Sequence, residues 1–222
     1  MAISLLKSFP APPVDVSEIL RYACLRVNSP KQQRMIEECI KEAEPHLSYK
    51  VCYTFVKCSV DGNEVTLDDE KIVSDALSKN LCECDEAVMF SCTVGIGIDR
   101  LIEKNKSLSL LKTMLMHAVG VERVEGLANA FCDFLEEEVA KKGKSIKPRF
   151  SPGYGDFKLE NQRLFFEKLE STKLLGLTLS ESKIMSPSKS VTAIVGITDK
   201  NNKKKKKVTC QDCLKDNCKY RR

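Results

Sequence analysis

The residues best equipped for chemistry sit in the stretch Arg149-Phe-Ser-Pro-Gly-Tyr-Gly-Asp156. Gly153 and Gly155 permit positive φ and a close backbone approach, and Pro152 fixes the entry to the turn. Tyr154, held between two glycines, serves neither a helix nor a strand core. Arg149, four positions before Gly153, offers a planar fork of donors to a carboxylate or a phosphate. From residue types alone the competing reading is a tight structural turn with an exposed tyrosine.

A second group is Cys210-x2-Cys213-x4-Cys218, in a polar, basic stretch where burial cannot explain the cysteines. Neighbouring lysines favour thiolate. Three thiolates fall one short of a structural zinc site, and an iron–sulfur cluster usually takes four. An open site, a fourth ligand from the body, and redox-active or inert thiols all stay open. Elsewhere, Cys82-x-Cys84 reads as turn or core thiols, and Cys52, Cys58 and Cys92 lie in apolar runs as packing. Gly95-Ile-Gly97 lacks the third glycine of a dinucleotide loop and is rejected as one. His117 falls on an apolar helical face and reads as a satisfied core residue. His46 follows Pro45 at a helix end, where a cation suits the dipole. No Ser/His/Asp or Cys/His pairing is visible, so hydrolysis has no support.

The elements that must position these groups follow from periodicity. Asp15 or Ser17 caps a first helix through Ile19, Leu20 and Ala23. Met35, Ile36, Cys39, Ile40 and Ala43 mark a second, between Pro30 and Pro45. Lys50 to Val60 alternates as a strand, Asp61-Gly62-Asn63 signals a hairpin, and Glu64–Leu67 returns. Asp68 is expected to cap a third helix running to about Lys79, followed by a buried strand from Ala87 to Val94. A long helix is expected from Ser107 to Lys141; Gly120 and Gly126 inside it each cost about 1 kcal/mol relative to Ala and mark close packing or a break. After Gly143 come a short strand, the 149–156 loop, a helix from Glu160 to Leu169, and strands at Leu174–Leu179 and Val191–Thr198. Without steady βαβ alternation, the fold class is α+β, with an antiparallel or mixed twisted sheet and flanking helices.

The 222 residues are 42% hydrophobic and 30% charged, a globular composition rather than a disordered one. No apolar run reaches the roughly 20 residues of a spanning helix, which excludes membrane spans. The first residues carry too short an apolar run for a signal peptide before Pro10, Pro12 and Pro13, so a cytoplasmic location with eleven reduced cysteines is expected. Of the +5 net charge, residues 200–222 supply +8, which leaves −3 for the first 199. The chain divides into a body at 1–198, a Lys-rich linker at 199–207 and a Cys-rich tail at 208–222. Nucleic-acid binding would rest on that tail alone, without interleaved aromatics, and is not favoured.

The 149–156 loop resembles the Arg-x-x-Pro-Gly-Tyr loop of the AdoMet-binding reactivation domain of cobalamin-dependent methionine synthase. Leu175-Gly-Leu-Thr-Leu-Ser-Glu-Ser and Met185-Ser-Pro-Ser-Lys-Ser-Val-Thr-Ala-Ile are similar to later segments of that family, in the same order. Val121 to Glu138 resembles the helix before the loop, and the likeness covers about residues 85–198, closest to free-standing relatives. The resemblance implies that AdoMet lies in a shallow groove and methylates a partner's cobalamin, which has drifted to Co(II) and regained one electron. It places Arg149 on the AdoMet carboxylate, Ser151 and Gly153 at backbone contacts, and Tyr154 against ligand or corrin. The family carboxylate near the ligand falls at Asn129 here, with Glu125 one turn earlier on nearly the same face as its substitute.

The function so implied is an AdoMet-binding activation subunit for methionine synthase activity, with cobalamin carried by a corrinoid partner and an electron donor supplied from outside. The chain has no module for homocysteine or methyltetrahydrofolate. Two alternatives remain: an iron–sulfur or metal-containing activator of another corrinoid protein, and a non-enzymatic zinc or nucleic-acid binding module.

Overall fold

Residues 3–25 and 30–199 are described by a computed structural model. Cys210, Cys213, Cys218 and the lysine run from Lys203 to Lys207 lie outside the described residues. In chain order the strands and helices begin with β1 (Leu5–Ser8), α1 (Val16–Tyr22), α2 (Pro30–Ala43), β2 (Lys50–Asp61), β3 (Glu64–Leu67) and β4 (Glu70–Val73). They continue with α3 (Asp75–Leu81), β5 (Glu86–Thr93), α4 (Gly97–Asn105), α5 (Leu110–Ala140) and β6 (Ser145–Ile146). The last are α6 (Gln162–Leu169), α7 (Ser171–Leu175), β7 (Thr178–Leu179), β8 (Met185–Ser186) and β9 (Ser190–Thr198).

The main sheet has seven strands in the order β4-β3-β2-β5-β9-β6, and β1 also pairs with β2. Every pairing is antiparallel, which resolves the expected antiparallel or mixed sheet. The long β2 explains how two strands share one of its edges: β1 takes residues 50–53 and β3 takes 58–61. Alternation along the central strands sends side chains to two cores. Val51, Val88, Phe90, Ala193 and Val195 meet α1, α2, α4 and α5; Cys52, Val56, Met89 and Ile194 meet α3 and α6.

The helix α5 runs 31 residues, about 46 Å, from its Ser109 cap. Phe131 on its buried face packs against the rings of Phe90, Tyr53 and Phe9 at 4.8, 5.1 and 6.2 Å. Burying such a ring contributes about 1.5–3 kcal/mol. Neither glycine breaks the helix. A Cβ on Gly120 would lie 3.0 Å from Ile98 and from the Lys189 side chain, so that position is one of close packing.

Two expected elements are corrected. Asp68, at φ +53°, turns β3 into β4 instead of opening a helix, and α3 starts seven residues later behind the Ser74 cap. Leu174–Leu179 is not a strand: α7 runs through Leu175 to Gly176 in the left-handed region, and only Thr178–Leu179 pairs, with β8. Two elements were not expected: the short β1, and α4, whose buried Ile98, Leu101, Ile102 and Asn105 fall at helical spacing behind the Gly95-Ile-Gly97 turn. Asp15, rather than Ser17, caps α1, accepting from the amides of Ser17 and Glu18.

The thiols expected to pack do so. Cys52, Cys58 and Cys92 are buried, and burial raises the pKa of each, that of Cys58 to about 12. Cys84 is buried against Gly196 while Cys82 is exposed. Gly97 has a packing reason, since a Cβ there would sit 2.0 Å from the His46 carbonyl oxygen. His117 is not a core residue: it is exposed on α5, with Nδ1 3.2 Å from Lys189 Nζ. The part of the ring that faces the protein is desolvated, and that effect first, then the Lys189 charge, lowers its pKa. No helix among the described residues is long and apolar enough to cross a membrane.

Candidate functional site

The site begins with an interrupted sheet edge. Beyond β6, the chain continues along β9: Lys147 donates to the Gly196 carbonyl, and Phe150 and Ile194 exchange both backbone hydrogen bonds. The same register would set Pro152 opposite Thr192. Pro152 has no N–H to donate, so the ladder stops there. Thr192, two residues before Ile194, turns its N–H and C=O toward the edge that the ladder has left.

The loop then turns away at Gly153 (φ +93°) and Gly155 (φ +57°), both in the left-handed region that glycine adopts at no steric cost. Gly153 N–H donates to the Phe157 carbonyl at 2.7 Å, and Phe157 is buried between Phe150 and Phe165. Asp156 locks the far end. Its carboxylate accepts from Ser74 Oγ at 2.6 Å and from the amides of Asp75 and Ala76 at 2.7 and 3.0 Å, at the start of α3. Those donors, the Ser74 hydroxyl foremost, hold its pKa down to about 2. A Cβ on Gly155 would lie 2.8 Å from the Ala76 Cβ, so the loop needs glycine there for its approach as well as its φ.

The result is a groove of about 360 Å³ that wraps the open edge of β9. On the α5 side it is walled by Glu125, Arg149 and Val191; on the α6 side by Gln162, Ser190 and Thr192; Phe150, Ser151, Pro152, Tyr154 and Met185 complete it. Arg149 Nη2 donates to Glu125 Oε2 at 2.5 Å, with the two side chains 25% and 35% exposed. Asn129 Oδ1 lies 3.4 Å from the same nitrogen. Burial opposes the guanidinium charge, but the Glu125 carboxylate more than offsets it and raises the Arg149 pKa. Tyr154 is 66% exposed at the rim.

The structure therefore gathers Arg149, Glu125, Ser151 and Tyr154 around one groove. Gly153 shapes the loop without lining the groove, and Asn129 is the neighbour of Arg149 on the next turn of α5. Gln162, Met185 and Thr192 escaped sequence reasoning as site residues. The signal for Gln162 was its place at the buried spacing of Phe165 and Leu169, where an amide is out of character. An adjacent cation and carboxylate complement the carboxylate and ammonium of an α-amino acid, and an open strand edge complements a flat group carrying both donors and acceptors.

The comparisons bear on this arrangement. No family model matches the chain, and no curated protein matches its sequence. Among solved structures, the crystal structure of the MetH reactivation domain bound to AdoHcy superposes with a TM-score of 0.67, covering 87% of this chain and 78% of that one at 16% identity. This chain has the fold of the MetH reactivation domain. At that identity the likeness is one of fold, and the site rests on the residues described above.

Proposed function

We propose that this protein binds AdoMet in the groove at the open edge of β9 and serves as an activation subunit for a cobalamin-dependent methionine synthase. The observation that carries this reading is the half-buried Arg149–Glu125 pair on the groove wall. The neighbouring fold supports it, since the MetH reactivation domain was solved with AdoHcy.

Arg149 would hold the ligand carboxylate on its free donors, while Glu125 accepts from the α-ammonium; Asn129 adds a neutral acceptor. Glu125 thus takes the place of the carboxylate that the family has at Asn129. Ser151, with the loop that Gly153 turns, would meet the ligand at the backbone, and Tyr154 stands at the rim, free to pack against ligand or corrin. AdoMet supplies an electrophilic methyl group on its sulfonium. A partner's cobalt, first reduced by one electron from an external donor, would accept that methyl and leave AdoHcy in the groove. The transfer needs positioning rather than a proton, which suits a groove walled by the Arg149–Glu125 ion pair.

Calorimetric titration of AdoMet into the full chain, with Arg149→Met in parallel, tests this. Wild type is expected to bind saturably, and the variant to bind about 10–100-fold more weakly, the loss of a charge-assisted hydrogen bond. Equal affinity in the two proteins, or no binding by wild type with or without a corrinoid partner, would overturn the reading.

A further inference from the structure

Among the described residues, two buried side-chain oxygens have no hydrogen-bond partner: Asn80 Oδ1 and Gln162 Oε1. Asn80 stands away from the groove lining, and its amide nitrogen donates to the Pro148 carbonyl at 3.0 Å. Gln162 is different. It is 6% exposed, it lines the groove, and it opens α6 at the spacing of the fully buried Phe165 and Leu169. Helical periodicity assigns that position to an apolar side chain. A buried amide oxygen without a donor costs stability, and such a group calls for an explanation. A ligand that brings the donor supplies one.

The geometry points to Gln162 as a binding residue for the nucleoside half of the ligand, its side-chain oxygen accepting from an N–H or O–H of that half. This rests on the AdoMet reading above. The Arg149–Glu125 pair lies on the α5 side of the sheet edge and takes the amino-acid end. The groove then passes round β9 at Thr192 and Ser190 to the α6 side, where Gln162 stands. What AdoMet has left to offer there as donors are the exocyclic amine of adenine and the ribose hydroxyls. Both are the same chemistry, a donor for an orphaned carbonyl oxygen.

The test is calorimetry on the full chain with Gln162→Met, a substitution of similar length that removes the polar atoms. Three ligands are used: AdoHcy, S-inosylhomocysteine (a carbonyl in place of the adenine amine) and the 2′,3′-dideoxyribose analogue of AdoHcy. Gln162→Met is expected to weaken AdoHcy binding about tenfold. That deficit should vanish for one analogue only, the inosyl compound if Gln162 meets the amine or the dideoxy compound if it meets the ribose. The unliganded variant should unfold at the same Tm as wild type or higher, because a desolvated oxygen has been removed. Affinity within twofold of wild type, or an equal deficit on all three ligands together with a lowered Tm, would overturn the assignment. Wild-type binding lost in Arg149→Met and kept in Gln162→Met sinks the Gln162 assignment alone; no wild-type binding sinks the AdoMet reading with it.

Discussion

Asp156 shows how one residue holds the groove without lining it. Its carboxylate is tied to Ser74 Oγ and to two amides of α3, and its pKa is held down to about 2 against about 3.9 in an unfolded chain. Because the folded value is the lower one, the anchoring is fully present above about pH 4 and is lost as pH falls through that window toward 2. Urea midpoints of wild type and Asp156→Asn, compared from pH 5 to pH 2, should therefore differ most at pH 5 and converge at the acid end. A constant gap would mean that the carboxylate charge is not what holds the loop. At this scale the sequence was informative: Arg149, Pro152, Gly153, Tyr154 and Gly155 announce a special loop by type and spacing, although the anchoring role of Asp156 was not read from it. The wall that the loop faces was legible only in part: Glu125 entered through the family resemblance, not through residue type or spacing. Glu125 pairs with Arg149 across 24 positions of chain, and Thr192 matters through a backbone edge that no side-chain type encodes.

At the scale of elements, α5 is where the N-terminal segment, the sheet and the groove meet. Glu122 and Arg123 are nearly inaccessible within it, at 4% and 1% exposure. Arg123 donates to Glu122 and to the carbonyls of Pro12 and Pro13, while Glu122 accepts from the Asp15 amide. That network fastens the proline-rich lead-in of α1 to the helix that carries Glu125. Removing one side of a buried pair leaves the other uncompensated, so Arg123→Met should destabilise the protein by about 3–5 kcal/mol, read as a fall in the urea midpoint. A loss below about 1 kcal/mol would mean that water reaches Glu122. The long, strongly periodic elements such as α2, β2 and α5 were legible for the reason α5 is stable, a continuous apolar face. The errors fell where a local signal competed with pairing. Asp68 is a plausible cap by type, yet its carboxylate accepts from the Lys57 amide at 2.9 Å and shapes a hairpin turn instead. Leu174 and Leu175 are apolar enough for a strand, and the left-handed Gly176 ends a short helix there. β1 gains its identity only from pairing with residues 50–53 of β2, far along the chain.

For the whole molecule, the decisive feature is that, among the described residues, the groove lining falls within residues 125–192, from one helix on each face of the sheet and the strand edge between them. The supports behind it also lie in the body: Asp156 on α3, Phe157 in the α6-side core, and the Arg123 network on the other face. Charge is distributed quite differently, with +8 on residues 200–222 against −3 on the rest. AdoMet carries a sulfonium, an ammonium and a carboxylate, so a strongly basic segment in the site would oppose it on balance. A chain ending at Asp199 is therefore expected to bind AdoMet within twofold of the full protein by calorimetry, and to respond equally to Arg149→Met. A tenfold loss on truncation would mean that residues beyond Asp199 complete the site and that the groove alone is insufficient. Retained binding would confine Cys210, Cys213 and Cys218 to some task other than holding AdoMet, and zinc, iron and sulfide content of the full and shortened chains, purified anaerobically, would show whether that task involves a metal.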